Sequence, residues 1–530
     1  MAFSKIMIFF RHSREGGNPA SPIHRIPAFA GMTGWLLLVA FASLALRLWI
    51  AQALPITGDE AFFYWWGVYK DWGYYDHPPM VGWLIGLMRW ALGDATWAIR
   101  LPIVVLPLAL GAMLWWALYP LHRERAAWAV LFFWLAPINW INTLITTDTP
   151  LIFWSVLSVA VLLRAEQRAV LDRRAWVLYA LSGLFLGCAF LSKYFSVVLG
   201  FAYLVYFIAF RRERWHALAL LVLCALPGPA INIAWNMSHG WPNIMFNVFN
   251  RNQDAAFAWN KPFLYAGTLL YLMTPVVAWL GWTQRRALAQ TCREQRLIAT
   301  LVVVPLLFFA LLSLKKVVGL HWVMAFYPFG FVLMAFALPT HLLKRCAQGL
   351  AVFTALHVLA VIGISMTSLD QWEGKPRYFS IVRSVKTTEL LAQVSQPGVV
   401  LMADGYSPAS VYGYTLRTYV PVFGPGKFHA RQDDMLVDFS VYQGKTIRIL
   451  LSDAPVLADF QPYFDSVQAL TFQQNGVTFH AVEGRNFNFE AYRAGVLGTI
   501  FQRYYNIPSW LPMTGCPFCE RYCGQVRCYK

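Results

Sequence analysis

The chain has 530 residues, 58% of them hydrophobic and 13% charged, and a formal net charge of +17. Soluble domains carry roughly 25% charged residues, so this composition, with a mean hydropathy of +0.48, excludes an ordinary soluble globular protein. The surplus positive charge sits in short clusters between apolar runs and forms no soluble basic domain, which argues against a nucleic-acid partner.

The N-terminal stretch "HSREGGNPASPIHRIPAFAGMTGW" resembles the translation of a bacterial intergenic palindromic repeat. Met32 then makes a natural start directly before the first apolar run, and residues 1–31 are expected to lie outside the fold. The alternative is a genuine basic N-terminal tail. No compact apolar core with a cleavage site precedes Met32, so a signal peptide fits poorly.

From there the apolar runs predict membrane helices over 35–54, 97–119, 126–144, 149–165, 175–192, 195–210, 215–235, 262–282, 297–314, 319–340 and 348–368. Crossing a bilayer takes about 20 apolar residues, and hydrocarbon demands that each segment pair its own backbone, which favours helices. Arg123/Arg125, Arg164/Arg168/Arg173/Arg174, Arg211/Arg212/Arg214, Arg285/Arg286/Arg293/Arg296 and Lys344/Arg345 fall between these runs. Read as cytoplasmic clusters, they give about eleven crossings from a cytoplasmic N-terminus and an exterior C-terminus. The run Pro78–Leu92 is short for a span and is expected to lie at the outer interface, with Trp83 and Trp90 near headgroup level.

Beyond Asp370 the composition changes. Val399–Met402, Val411–Tyr414, Ile447–Leu451 and Val477–Val482 look like short strands between turn residues, while "LMADGYSPASVYGYTLR" reads as strand, turn, helix. The expected architecture is an all-α polytopic membrane domain over 32–370, with outer loops 55–96, 139–148 and 236–261. A small α/β domain over 371–495 follows on the outer side, then a Cys-rich tail over 496–530. In that tail, Cys516, Cys519, Cys523 and Cys528 could hold zinc, form disulfides, or belong to an incidental extension.

On this topology Asp59 and Glu60 stand just outside the first span, Asp76-His77-Pro78-Pro79 follows in the same loop, and "TTDTP" places Asp148 on the next outer loop near Asn139 and Asn142. Ionisable groups beside membrane spans usually face a bundle interior or a wet cavity, where a carboxylate serves as general base or metal ligand. The structural alternatives are N-caps: Asp148 before its Thr-Pro, and Asp59 for the stretch from Ala61. A cap needs only one acid, so the Asp59-Glu60 pair points beyond capping.

These features resemble the polyprenyl-phosphate-sugar glycosyltransferases of the GT-C fold, and more narrowly the bacterial relatives of protein O-mannosyltransferases and lipid A aminoarabinose transferases. "CAFLSKYFSVVLG", "NIAWNMSHGWPNIMF" and "KKVVGLHWVMAFYPFGFVL" carry the same likeness, which extends over roughly 35–370. The resemblance implies a donor sugar on polyprenyl (undecaprenyl) phosphate, transferred with inversion to a glycan, lipid or protein acceptor at the periplasmic face of a bacterial inner membrane. It implies Asp59 as general base, Glu60 as its support, and Asp148 as a catalytic partner or metal ligand. The aminoarabinose branch carries Lys before the double Pro; this chain has His77 there, which leaves the substrate of that branch open.

A leaving phosphate needs cations and donors. Lys315 and Lys316, with His321 close behind, and Lys193 with Tyr194 stand on the outer side against the positive-inside trend. They join Asp76 and His77 as candidate substrate contacts. The alternative is interfacial lysines snorkelling to headgroups. Arg251 and Lys261 are weaker candidates, and a divalent Mg or Mn on Asp59 and Asp148 is conceivable. No P-loop, G-x-S-x-G or H-E-x-x-H motif is present. A transporter or flippase of a lipid-linked saccharide is the competing class, distinguished by inverted repeats that this sequence does not display.

Overall fold

The computed structural model describes residues 26–250, 257–426 and 432–524. Its chain begins with α1 (Ile26–Ala53), α2 (Gly58–Val68), α3 (Met80–Leu92), α4 (Thr96–Leu118), α5 (Arg123–Trp134), α6 (Ile138–Ile141) and α7 (Asp148–Glu166). It continues through α8 (Arg173–Phe190), α9 (Ser196–Phe210), α10 (Trp215–Ala225), α11 (Pro227–His239), α12 (Asn260–Met273), α13 (Pro275–Thr283) and α14 (Arg285–Glu294). Then come α15 (Arg296–Ser313), α16 (Leu320–Val323), α17 (Tyr327–Ala337) and α18 (Thr340–Ser365). Among the described residues, 6 helices are long and apolar enough to cross a membrane, or 7 if the bent pair α12–α13 counts as one. The chain is a multi-span membrane protein.

Prolines account for the main departures from the predicted helices. The helix expected over 126–144 stops at Trp134, three residues before Pro137, because a proline inside a helix lacks the N–H and clashes with the preceding turn. The helix expected over 262–282 breaks at Thr274, whose φ of 65° is rare for a β-branched residue, and turns through 93° into Pro275. The one expected over 319–340 divides into α16 and α17, with Pro328 in the first turn of α17, where proline is tolerated.

A different device handles Pro107 inside α4. That proline leaves the Ile103 carbonyl without its usual i+4 partner. Arg47, 2% exposed on α1, fills the gap: its guanidinium donates to Ile103 O, to Val104 O at 2.9 Å and to Asn139 O at 2.8 Å. Tyr327 donates to Asn139 Oδ1 at 2.5 Å. The non-helical backbone around α6 is thus paired by buried side chains, as such backbone must be inside a bundle.

The C-terminal part carries β1 (Val399–Ala403), β2 (Thr446–Leu451), β3 (Ser466–Gln474) and β4 (Val477–Arg485), in the order β1-β2-β4-β3. β1 and β2 are parallel, with Met402 opposite Ile449, and the other pairs are antiparallel. The crossover between the parallel pair contains α19 (Tyr406–Leu416). Val411–Tyr414, expected as a strand, lies within α19; burial of Tyr412 and Tyr414 overrides the β-propensity of their residue types. β3, absent from the expected strands, is an edge strand with mostly exposed side chains, so its sequence lacks a clear apolar alternation.

The segment around α20 (Pro517–Tyr522) packs into a core of its own with Trp241, Phe439 and Tyr505. Thr514 N donates to Met237 O at 2.8 Å, Trp241 Nε1 to Pro512 O at 2.8 Å and Tyr522 Oη to Val437 O at 2.7 Å. The tail therefore straps the end of α11 to the sheet unit. Cys519 is disulfide-bonded. Burial pushes the Cys516 thiol up to about 12 and the Cys523 thiol up to about 11. Cys528 and Arg251 lie outside the described residues.

Candidate active site

The first turn of α2 separates the two acids that the sequence places side by side. Thr57 caps the helix, and Glu60 completes a capping box, its Oε2 accepting from Thr57 N at 3.1 Å and Thr57 Oγ1 at 3.0 Å. Glu60 also accepts from Arg100 Nε at 2.8 Å, Arg100 Nη2 at 2.6 Å and Ile145 N at 3.0 Å. Arg100 in turn donates to Ala51 O at 2.9 Å, Leu54 O at 2.6 Å and Pro55 O at 3.0 Å. Both side chains of this ion pair are 0% exposed. Glu60 thus ties the end of α1, the start of α2 and the loop before α7 together, and the fold occupies its carboxylate on every side.

Asp59 is the acid left over. Its side chain is exposed, and its Oδ1 accepts from Tyr406 Oη, on the first residue of α19, at 3.1 Å. The α2–α19 seam continues through Trp65 Nε1 to Ser410 O at 3.4 Å and a perpendicular Tyr64–Tyr414 ring pair at 4.8 Å. Beneath it, Asp94 accepts from Tyr64 Oη at 3.0 Å and pairs with Arg89, while Tyr414 Oη donates to Asp94 O at 2.8 Å. Partial burial, the largest single influence on Asp94, works against ionisation. The bonds from Arg89 and Tyr64 outweigh it and hold the carboxyl below its ordinary range.

The Asp76-His77 loop is built by aromatic stacking and by amides from the segment that follows α11. Tyr74 lies flat on Trp66 at 4.4 Å, and its hydroxyl donates to Trp66 O at 2.7 Å. The His77 ring packs edgewise against Phe63 and Trp66 at 6.4 and 6.3 Å, and its Nε2 lies 3.8 Å from Asp76 Oδ2. Asn243 Nδ2 donates to Tyr74 O and to Tyr75 O, and Asn247 Nδ2 to Asp76 O at 2.9 Å. Tyr194 Oη donates to Asn243 Oδ1 at 2.6 Å, and Asn232 Nδ2 reaches the same oxygen at 2.9 Å. From the sheet unit, Gln432 Oε1 accepts from Tyr75 N at 2.9 Å.

Beside Tyr194, Lys193 Nζ donates to both carboxylate oxygens of Asp148 at 2.8 Å, with both side chains 9% exposed. Asp148 is the first helical residue of α7; the N-cap position belongs to Thr147, and no side chain caps this end. Met80 N donates to Leu191 O at 3.0 Å, joining this segment to α3. The structure therefore gathers Asp76, His77, Asp148, Lys193 and Tyr194 into one connected polar region behind α2.

The second cationic group lies further out. Lys315 is exposed, its carbonyl accepting from Lys261 Nζ at 2.8 Å; Lys316 is half-buried and His321 exposed. Their link inward is Trp322, whose ring lies 4.6 Å from Phe195, two residues past Lys193. Asp59 and Asp148 do not assemble a metal's donor set: Asp148 is chelated by Lys193, and no group of three or more potential ligands occurs among the described residues.

Several residues went unnoticed in the sequence. Arg100 is a cation near the start of the span α4, a charge beside an apolar run like Lys193. Asn232 and Asn236 are spaced four apart on an apolar helix, which puts both amides on one face. Tyr406 carries no local signal, because its partner is 347 residues away in sequence.

Over 85% of its length the chain superposes on apo ArnT from Cupriavidus metallidurans, covering 98% of that chain with a TM-score of 0.65 at 14% identity. The fold is that of ArnT. This GT-C arrangement is matched equally by ArnT bound to undecaprenyl phosphate, with a TM-score of 0.66 at 13% identity over the same shares. Residues 76–235 match the family described as dolichyl-phosphate-mannose-protein mannosyltransferase. Among curated relatives, the lipid A galacturonosyltransferase RgtD of Rhizobium johnstonii is 29% identical over 217 residues, 39% of this chain and 44% of that one. The undecaprenyl phosphate-α-4-amino-4-deoxy-L-arabinose arabinosyl transferase of Pectobacterium atrosepticum is 26% identical over 260 residues, 45% of each. The chain thus matches under half the length of these curated relatives, and the ArnT likeness supplies the fold.

Proposed function

We propose that this chain is a membrane glycosyltransferase that takes a monosaccharide from a polyprenyl phosphate and passes it to an acceptor at the periplasmic face of a bacterial inner membrane. Asp59 removes the proton from the acceptor hydroxyl. That oxygen attacks the anomeric carbon as the bond to the phosphate oxygen breaks, and the electron pair leaves with the lipid phosphate. A single displacement of this kind inverts the anomeric centre. The observation that carries the reading is the division of labour on α2: Glu60 is wholly consumed by the fold, while Asp59, one residue earlier, is exposed with one oxygen fixed. A base must reach its proton at hydrogen-bond distance with the right lone pair presented.

Lys193, Tyr194 and His77 are the groups proposed to meet the phosphate, with Asp148 holding Lys193 in place between turnovers. Lys315, Lys316 and His321 form an outer set for the approaching lipid headgroup. The topology behind this reading counts eleven crossings, the shorter α5, α9 and α17 included, with α2 and the sheet unit (371–495) outside. The similarity to an undecaprenyl-phosphate-bound fold and to lipid A sugar transferases supports the donor class. The sugar and acceptor are open.

The test is transfer by the purified full chain in detergent. Labelled undecaprenyl phosphates carrying 4-amino-4-deoxy-arabinose, galacturonate or mannose would be offered with lipid A, protein and glycan acceptors. Label moving to one acceptor, and abolished in Asp59→Asn, supports the reading; transfer undiminished in Asp59→Asn removes Asp59 as the base.

A further inference from the structure

Building on the glycosyltransferase reading, we infer that Tyr406 is a positioning residue for Asp59, and that the C-terminal sheet unit thereby forms one wall of the active site. Asp59 stands exposed on the first turn of a helix, where a carboxylate rotates readily and offers its lone pairs in no fixed direction. The Tyr406 hydroxyl at 3.1 Å removes that freedom by engaging Oδ1. Among the described residues no other protein hydrogen bond to this carboxylate is seen, so Oδ2 is available to the acceptor hydroxyl. Tyr406 keeps its proton throughout; the acceptor's proton goes to Asp59.

The tyrosine is itself held at both ends. Its ring packs edgewise on Phe62 at 4.9 Å, one turn along α2 from Asp59. The next residue, Ser407, is pressed onto Gly58: a Cβ built there would fall 1.7 Å from Ser407 Oγ and 2.7 Å from Ser407 Cβ. Only glycine at this position lets α19 approach this closely. A small cavity of about 40 Å³ lined by Gly58, Arg383, Ser384, Ser407 and Tyr412 lies beside the same contact, so the two helices meet there without filling all the space between them. Contacts at 58/407, 62/406, 65/410 and 64/414 run along the whole seam, so the hydroxyl arrives on a rigid element rather than a loop tip.

Two measurements test this. In the transfer assay, with whichever donor of the panel is active, Tyr406→Phe keeps the ring packing and is expected to lower kcat on the order of tenfold with KM values within about twofold. Fluorinated tyrosines installed at position 406 should restore kcat and make it vary with phenol acidity, which a packing role would not. Unchanged kcat in Tyr406→Phe overturns the inference while leaving the enzyme reading intact. Separately, Gly58→Val in the full chain places a side chain where Ser407 sits and should quicken hydrogen exchange over residues 406–416; exchange left unchanged overturns the placement of α19 whatever the activity. A wild-type chain that shows slow exchange over 406–416 yet transfers no sugar from any donor sinks the enzyme reading, and the role of Tyr406 with it.

Discussion

Glu60 and Arg100 form an ion pair from which water is excluded on both sides, each 0% exposed, with every oxygen of the carboxylate engaged. Removing one partner of such a pair leaves a buried charge alone, at a cost of about 3–5 kcal/mol. Glu60→Ala is expected to lower the Tm in detergent sharply, as is Arg100→Met. The paired Glu60→Leu/Arg100→Met variant should regain much of that loss, because the penalty lies mostly in the stranded charge. A thermal-unfolding double-mutant cycle reads this directly.

Asp59 behaves in the opposite way. Exposed and bound through one oxygen only, it contributes little to folding, so Asp59→Asn is expected to leave the Tm within about 0.5 kcal/mol of stability of the wild type, as surface substitutions do. Loss of a general base lowers transfer by roughly 10²–10⁴-fold. Unfolding and turnover measured on one preparation separate the two acids; a Glu60 variant with wild-type stability and no activity would contradict this assignment.

The Lys193–Asp148 pair links stability to donor binding. Lys193→Met strands Asp148, and Asp148→Leu strands Lys193, so each should lower the Tm. The double variant should recover stability but not affinity, since the cation proposed to face the phosphate is gone. Donor KM in the double variant is the quantity to follow; a normal value would place the phosphate contacts elsewhere, with Lys315 and Lys316 next in line.

Acid should loosen the α2–α19 seam through Asp94. Its carboxyl is held below the ordinary carboxylate range in the folded chain, so its contribution is fully present above that range and is lost as pH falls through the depressed value. Hydrogen exchange over residues 406–416 should therefore stay slow down to about pH 4, where an unperturbed Asp begins to protonate, and quicken below it. Asp94→Asn should quicken exchange already at neutral pH and flatten the dependence.

Much of the membrane part was legible because apolar length and arginine placement are local signals. The expected helices reappear in order, and they break or divide near Pro137, Pro275 and Pro328, the last two of which open the helix that follows. Asp59, His77, Asp148 and Lys193 were legible as chemistry out of place beside a span. What the sequence hid was partnership. The doublet Asp59-Glu60 looked like shared function, but the Thr57 capping box takes Glu60 into the fold, a role written in T-x-x-E and overlooked beside a more suggestive acid. Tyr406 and Gln432 reach the site from the sheet unit across more than three hundred residues, and no periodicity reports such a contact.

The helix that brings Tyr406 to Asp59 lies in the crossover that joins two side-by-side, co-directional strands, so the hydroxyl is carried by the same unit as the sheet. The α2–α19 contact and the sheet unit are thereby coupled in stability. On the proposed reading, a chain cut near residue 370 would lose the Tyr406 hydroxyl from Asp59, which makes the sheet unit part of the proposed catalyst and not cargo carried on it.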